Sequence, residues 1–421
     1  MKQHKEEKWT RLDNASKFFP AVANNKDTKV FRFSCELYED VDPEVLQQSL
    51  NLTMESFPFY NSILRRGFFW YYFESTYINP TVESENKPLC APIYIRNEKN
   101  LLFRVFYYNK RINLEVFHSL TDGAGVIWFM ETLIYHYMTI KYGEIFGNNI
   151  PRLNYKASIS EKSDDSFRKN YNKKDNFLQR KSKQSSAYQI KGSRIKENRM
   201  KLIEGAMSVK SVLDISHEYN TTLTIFLTSL LIYSIYKEMP LNKKNKPIIL
   251  SVPINLRPYF GSTTARNFFS TMNISHSTHS DNLDLNEIIQ SVSNSFKENL
   301  TKEELDRKLN HFMSLEKSIF TRIVPLTIKD YAIYIANKLD DRKITSSISN
   351  IGKIIMPKEF NDYINQFSIC VSARRPLITL CTYEDRLVIS FTSPFEETDI
   401  QRRFFQFLSQ KGVEIEITSN L

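Results

Sequence analysis

Between Arg168 and Lys201 the chain carries twelve Lys or Arg residues against two acidic ones, Asp175 and Glu197. The stretch is also rich in Ser, Asn and Gln and poor in apolar residues, so it cannot build a core and reads as a solvated crossover. The apolar residues on either side, in a chain of 421 residues that is 41% hydrophobic, must therefore be buried in two places. The expected organisation is an N-terminal lobe over residues 1–165, a basic linker over 166–201 and a C-terminal lobe over 202–421. The formal net charge of +10 resides in the linker, and the remainder is balanced. Tyr171, Phe177 and Tyr188 are too few aromatics among these cations for a nucleic-acid surface, so none is expected.

Both halves mix strands with helices. In the first, Phe31–Leu37 reads as a strand, and Asp42-Pro43 starts a helix with Asp at the N-cap and Pro at the first helical position. Leu101–Tyr108 and Arg111–Phe117 flank an Asn109-Lys110 turn and read as a hairpin. A helix follows from about Gly123 to Tyr142. In the second half, helices are expected after Ser208 and after Thr221 or Thr222. Ile248–Ile254 reads as a buried strand, two amphipathic helices follow at about 282–299 and 302–320, and a meander of three strands covers 367–393 before a last helix. The Phe68–Tyr72 aromatic run and Trp128 read as core or pocket wall, with core the favoured reading. The fold class is mixed α/β with two sandwich-like lobes, without the regular rhythm of a doubly wound sheet.

Several function classes are excluded by what the sequence lacks. Neither G-x-G-x-x-G nor G-x-x-x-x-G-K-[ST] occurs, which removes the main support for a dinucleotide or P-loop site. Cys35, Cys90, Cys370 and Cys381 form no C-x-x-C pair and read as buried reduced thiols. His276 and His279 have no acidic or Cys companion, so no metal site is expected. The opening MKQHKEEKW has no apolar h-region, and the longest apolar run, 223–236, is too short to span a bilayer. A cytoplasmic monomer with no membrane span is expected.

The segment Phe117-His118-Ser119-Leu120-Thr121-Asp122-Gly123-Ala124-Gly125 joins a strand to a helix and holds two of the ten glycines. His118 is in phase with the apolar face of its strand, and the helix start behind it offers unpaired N–H donors. H-x-x-x-D-G in this setting resembles the signature of the chloramphenicol acetyltransferase-like superfamily, which includes condensation domains, alcohol acyltransferases and wax ester synthases. Further stretches match in order: Val252–Pro258, Ala265-Arg266-Asn267-Phe268-Phe269 and Ser349-Asn350-Ile351-Gly352. Arg11-Leu12-Asp13-Asn14 and Ser56–Tyr60 are similar to the bacterial alcohol acetyltransferase-like branch. Two departures stand out. Phe117 occupies the place of the first of two adjacent histidines, and D-F-G-W-G is absent.

The resemblance implies two chloramphenicol acetyltransferase-like lobes with the active site in the cleft between them. It implies acyl transfer, most simply of acetyl, from a CoA thioester to a hydroxyl, with His118 as general base and no covalent enzyme intermediate. Acyl-CoA or a phosphopantetheine thioester is then a co-substrate, and no cofactor is held permanently. The alternatives are a carrier-protein-dependent or amide-forming enzyme, whose partner is an acyl carrier protein, and a non-catalytic binding relative. Asp122 is implied to pair with Arg257 across the lobes rather than to orient His118. Gly123 and Asn350 are candidates for the oxyanion, and Asn267 for the substrate pocket.

Overall fold

Local chemistry sets the first lobe. In the computed structural model, which describes residues 9–147, 151–153, 157–172, 186–277 and 284–420, the Asp42 carboxylate accepts the N–H groups of Glu44 and Val45 at 2.9 and 3.1 Å. Pro43 follows with its φ already set for a helix. The helix Pro43–Ser56 then buries Leu46, Leu50 and Met54. Asn109 turns the chain with φ 47°, and the hairpin closes with Tyr108 opposite Arg111. Alternation along Arg111–Phe117 sends Ile112, Leu114 and Val116 into one hydrophobic core with Val126, Met130 and Leu133 of the helix Gly123–Lys141. The other face is a buried polar network, in which Glu115 binds both Arg32 and Arg104.

This hairpin lies in a five-stranded sheet ordered Ile364–Val371, Val30–Leu37, Arg111–Phe117, Phe103–Tyr108, Val82–Ser84. Its first strand comes from the second half of the chain. Of the three strands expected as a meander, only Leu377–Tyr383 and Arg386–Ser393 pair with each other. Ile364–Val371 instead runs antiparallel to Val30–Leu37. Its alternation explains the choice: Phe367 and Ile369 lie opposite Cys35 and Phe33, while Ser368 and Cys370 lie opposite Ser34 and Arg32. Apolar meets apolar on the core face, and Ser368 meets Ser34 on the other, in that register.

The second lobe is built on a seven-stranded sheet ordered Phe269–His276, Ile248–Asn255, Ser346–Ile354, Leu377–Tyr383, Arg386–Ser393, Lys201–Ser208, Glu416–Ser419. Its core includes the helix Leu223–Glu238, which is apolar nearly all round, and the inner faces of Leu285–Asn299 and Lys302–Lys317. A third sheet, of Trp9–Arg11, Tyr71–Ser75 and Ser62–Arg66, completes the set among the described residues.

The basic crossover is only partly described, since residues 173–185 lie outside the described residues. Its later part is packed rather than free. Ala187 is fully buried and its N–H donates to Arg342, while Tyr188 donates to the Pro247 carbonyl.

Candidate active site

His118 stands immediately after the strand Arg111–Phe117, its N–H bonded to the Lys29 carbonyl at 2.9 Å. Its ring is stacked on Phe19 at 4.2 Å between centroids, with Phe31 at 5.0 Å and Phe269 at 5.5 Å. Two of these come from the first lobe and one from the second, so the imidazole sits at the seam. Burial among these rings pushes the His118 pKa below its ordinary value, against the opposing pull of its own carbonyl, the Asp122 charge and Asn267. The ring is thereby held neutral near pH 7.

The tautomer follows from Asn267. Its side-chain nitrogen faces the carbonyl oxygens of His118 at 2.9 Å and Ser119 at 3.4 Å. Carbonyls only accept, so the NH2 group must be the end that faces them. Oδ1 therefore faces His118 Nδ1, 3.2 Å away, and Nδ1 must carry the proton it donates. The lone pair is left on Nε2, which no described residue engages. The amide is itself anchored. Asn267 Nδ2 donates to Ser16 Oγ at 3.0 Å, and that hydroxyl donates to Asp13 Oδ2 at 2.6 Å. Burial raises the Asp13 pKa to about 6, and Arg266 and Ser16 draw it down.

Asp122 is turned away from His118. Its Oδ1 accepts the Gly125 N–H at 3.2 Å as the N-cap of Gly123–Lys141, and its Oδ2 accepts the Phe268 N–H at 2.8 Å. Arg257 meets both oxygens in a two-pronged pair, 2.9 Å on each side. The rest of the guanidinium donates to the carbonyls of Thr264 and Arg266 and lies 5.4 Å from the Trp128 ring centre. Both residues are buried. Gly125 is required by the same seam: a Cβ there would lie 2.1 Å from the Ala265 carbonyl oxygen.

Gly123 opens the helix directly behind His118, where its N–H has no intrahelical acceptor. Asn350 accepts the Gly352 N–H and donates to Thr224 Oγ1, so its amide serves its own strand and a neighbouring helix, and the structure gives it no contact with His118. Ser119 donates to the Ser16 carbonyl, away from His118. His276 is buried in its strand, and His279 lies outside the described residues. Ser16 and Asp13 support the site without a motif of their own in the sequence, although Asp13 stands in the Arg11–Asn14 stretch that carries part of the resemblance.

A cavity of about 690 Å³ lies between the polar face of the five-stranded sheet and the strands Lys201–Ser208 and Glu416–Ser419. Arg32, Asn113 and Glu204 line it and His118 does not, so it is separate from the seam described above.

No family model and no curated relative matches the chain. Solved structures do match. TRI101 of F. sporotrichioides, complexed with coenzyme A and T-2, superposes with a TM-score of 0.65 at 10% identity, covering 97% of this chain and 99% of that one. The starter condensation domain of rhizomide synthetase RzmA, in complex with C8-CoA and Leu-SNAC, gives 0.62 at 10% identity, over 96% and 94%. Polyketide synthase associated protein 5 from Mycobacterium tuberculosis gives 0.59 at 12% identity, over 95% and 96%. The chain therefore has the two-lobed, chloramphenicol acetyltransferase-like fold over essentially its whole length.

Proposed function

We propose that the protein is an acyltransferase that moves an acyl group, acetyl in the simplest case, from a CoA thioester to a hydroxyl acceptor. The observation that carries this reading is the Asn267-fixed tautomer of His118, which leaves a neutral imidazole with its free lone pair at the seam of the lobes. In the reaction Nε2 takes the proton of the acceptor hydroxyl as its oxygen bonds to the thioester carbonyl carbon. The tetrahedral intermediate then expels the thiolate as the C–S bond breaks, and the imidazolium returns the proton to sulfur. General-base assistance of this kind contributes about 10²–10⁴-fold. A base held neutral by burial is in the right form without further adjustment.

Asn267 acts here as a positioning residue. Its NH2 group is spent on Ser16 and two carbonyls, which leaves no donor for an oxyanion. The N–H of Gly123 at the helix start is the better-placed candidate for that charge. Asp122 and Arg257 hold the helix start and the Thr264–Phe268 segment together, and with them the distance from His118 to Asn267. The fold neighbours that bind coenzyme A or C8-CoA support a thioester donor. Thiol release from acetyl-CoA, octanoyl-CoA and an acyl carrier thioester, measured against alcohols and amines, tests the assignment. Acceptor-dependent release with acyl-CoA and an alcohol is expected, whereas release only with a carrier thioester, or only with amines, would replace it by the condensation-type reading.

A further inference from the structure

The helix Leu326–Asp341 is laid on the protein with charged residues on its inner side beside the buried Leu326. Lys329 donates to the Phe69 carbonyl at 2.8 Å and lies over the Trp70 ring at 3.4 Å. Asp330 accepts from the Tyr71 hydroxyl at 2.8 Å, and Asp341 pairs with Arg375 at 2.6 Å. Leu326 is buried at the helix start, but four apolar residues face out: Ile328 is 59% exposed, Tyr331 68%, Ile335 40% and Leu339 53%. At 3.6 residues per turn these four fall within an arc of about 80°. An amphipathic helix of a water-facing protein normally turns that stripe to the core. Phe68, expected in the core from sequence, is 72% exposed and extends the strip, its carbonyl accepting the Leu326 N–H.

The charge around the strip is one-sided. The acids of the helix are all engaged: Asp330 by Tyr71 and Arg66, Asp340 by Lys343, and Asp341 by Arg374 and Arg375. Lys338 and Arg342, which flank the stripe by helical position, are exposed, and no carboxylate among the described residues pairs with them. A second copy of the chain seated on this face would bring the same cations together. An anionic lipid surface instead offers apolar depth for Ile328 and Ile335, an interfacial layer for Tyr331 and Phe68, and counter-charge for the two cations.

We propose that this face docks the protein peripherally onto an anionic lipid bilayer. The helix also packs on the Phe19–Val22 turn, whose Phe19 ring stacks on His118, so docking presents the His118 side of the molecule to the membrane. Vesicle binding is read without turnover, and its result is independent of the acyl-transfer assignment.

The test is co-sedimentation of the full chain with vesicles of phosphatidylcholine containing about one-third phosphatidylglycerol, against phosphatidylcholine alone. Binding to the anionic vesicles that weakens with salt is expected. The pairs Ile328→Ser with Ile335→Ser, and Lys338→Glu with Arg342→Glu, should each weaken it about tenfold or more, with melting temperature and elution volume unchanged. Absence of binding to anionic vesicles, or binding insensitive to both pairs, overturns the proposal. So does a dimer dissolved by the Ile328/Ile335 pair, or capture of an acidic carrier protein through this face without vesicle binding.

Discussion

Asp122→Asn replaces one oxygen of a carboxylate that accepts four N–H groups, two from Arg257 and one each from Gly125 and Phe268. The new NH2 group must face at least one of these donors, and Arg257 is left charged and buried with only carbonyl partners. Breaking one side of a buried pair costs about 3–5 kcal/mol, mostly by stranding the other charge. For a lobe of about 200 residues, 1 kcal/mol moves the melting temperature by about 2–4 °C, which gives a drop of roughly 10 °C. The rate should fall as well, because the helix start and the Asn267 segment lose their clamp. Arg257→Gln should cost a similar amount, stranding Asp122 and two carbonyls. The double variant should be less damaged than the sum of the singles, with a coupling of about 2 kcal/mol. Scanning calorimetry on the four proteins, with thiol-release rates alongside, provides the cycle. If Asp122→Asn lowers the rate with its melting temperature intact, and the two substitutions add, Asp122 acts on His118 directly and the clamp is refuted.

The acid limb of kcat/KM should lie below pH 6.5, because burial lowers the His118 pKa and protonation removes the base. Asn267→Asp, which sets a carboxylate against Nδ1, should move that limb upward, and an unmoved limb would contradict the orientation of the Asn267 amide. Glu131 lies buried on the Gly123–Lys141 helix, and burial raises its pKa to about 7, against a hydrogen bond from the Ile355 N–H. A raised carboxyl favours the folded state when protonated, so stability is lost as pH climbs from 4.5 through 7. Glu131→Gln should therefore stabilise the protein at pH 8 by about 3 kcal/mol and have little effect at pH 4, as read from denaturant midpoints at the two pH values.

What the sequence shows of this protein is mostly local. The Asp42-Pro43 start, the Asn109 turn and the placing of His118 at a strand end each rest on neighbours within a few residues. The chain partners that complete the site do not. Ile364–Val371 finds Val30–Leu37 some 330 residues away, and its pattern suits either sheet until the polar and apolar faces are compared strand by strand. Asn267 stands in a stretch the resemblance singled out, yet its hold on Nδ1 depends on two carbonyls 149 and 148 residues earlier in the chain. The stacking of Phe19 on His118 and the support from Ser16 also come from a short turn with no periodic signature. The Leu326–Asp341 helix is not among the helices expected from the sequence, and its apolar residues do not share one buried face: Leu326 is buried while Ile328, Tyr331, Ile335 and Leu339 are exposed.

Whether Nε2 of His118 takes the acceptor's proton is tested most directly by kcat/KM of His118→Ala with an acyl-CoA and the best alcohol found. A fall of about 10²–10⁴-fold is expected, with the folded state intact by circular dichroism and acyl-CoA binding retained. Turnover within a few-fold of the native protein in a folded His118→Ala variant would contradict it.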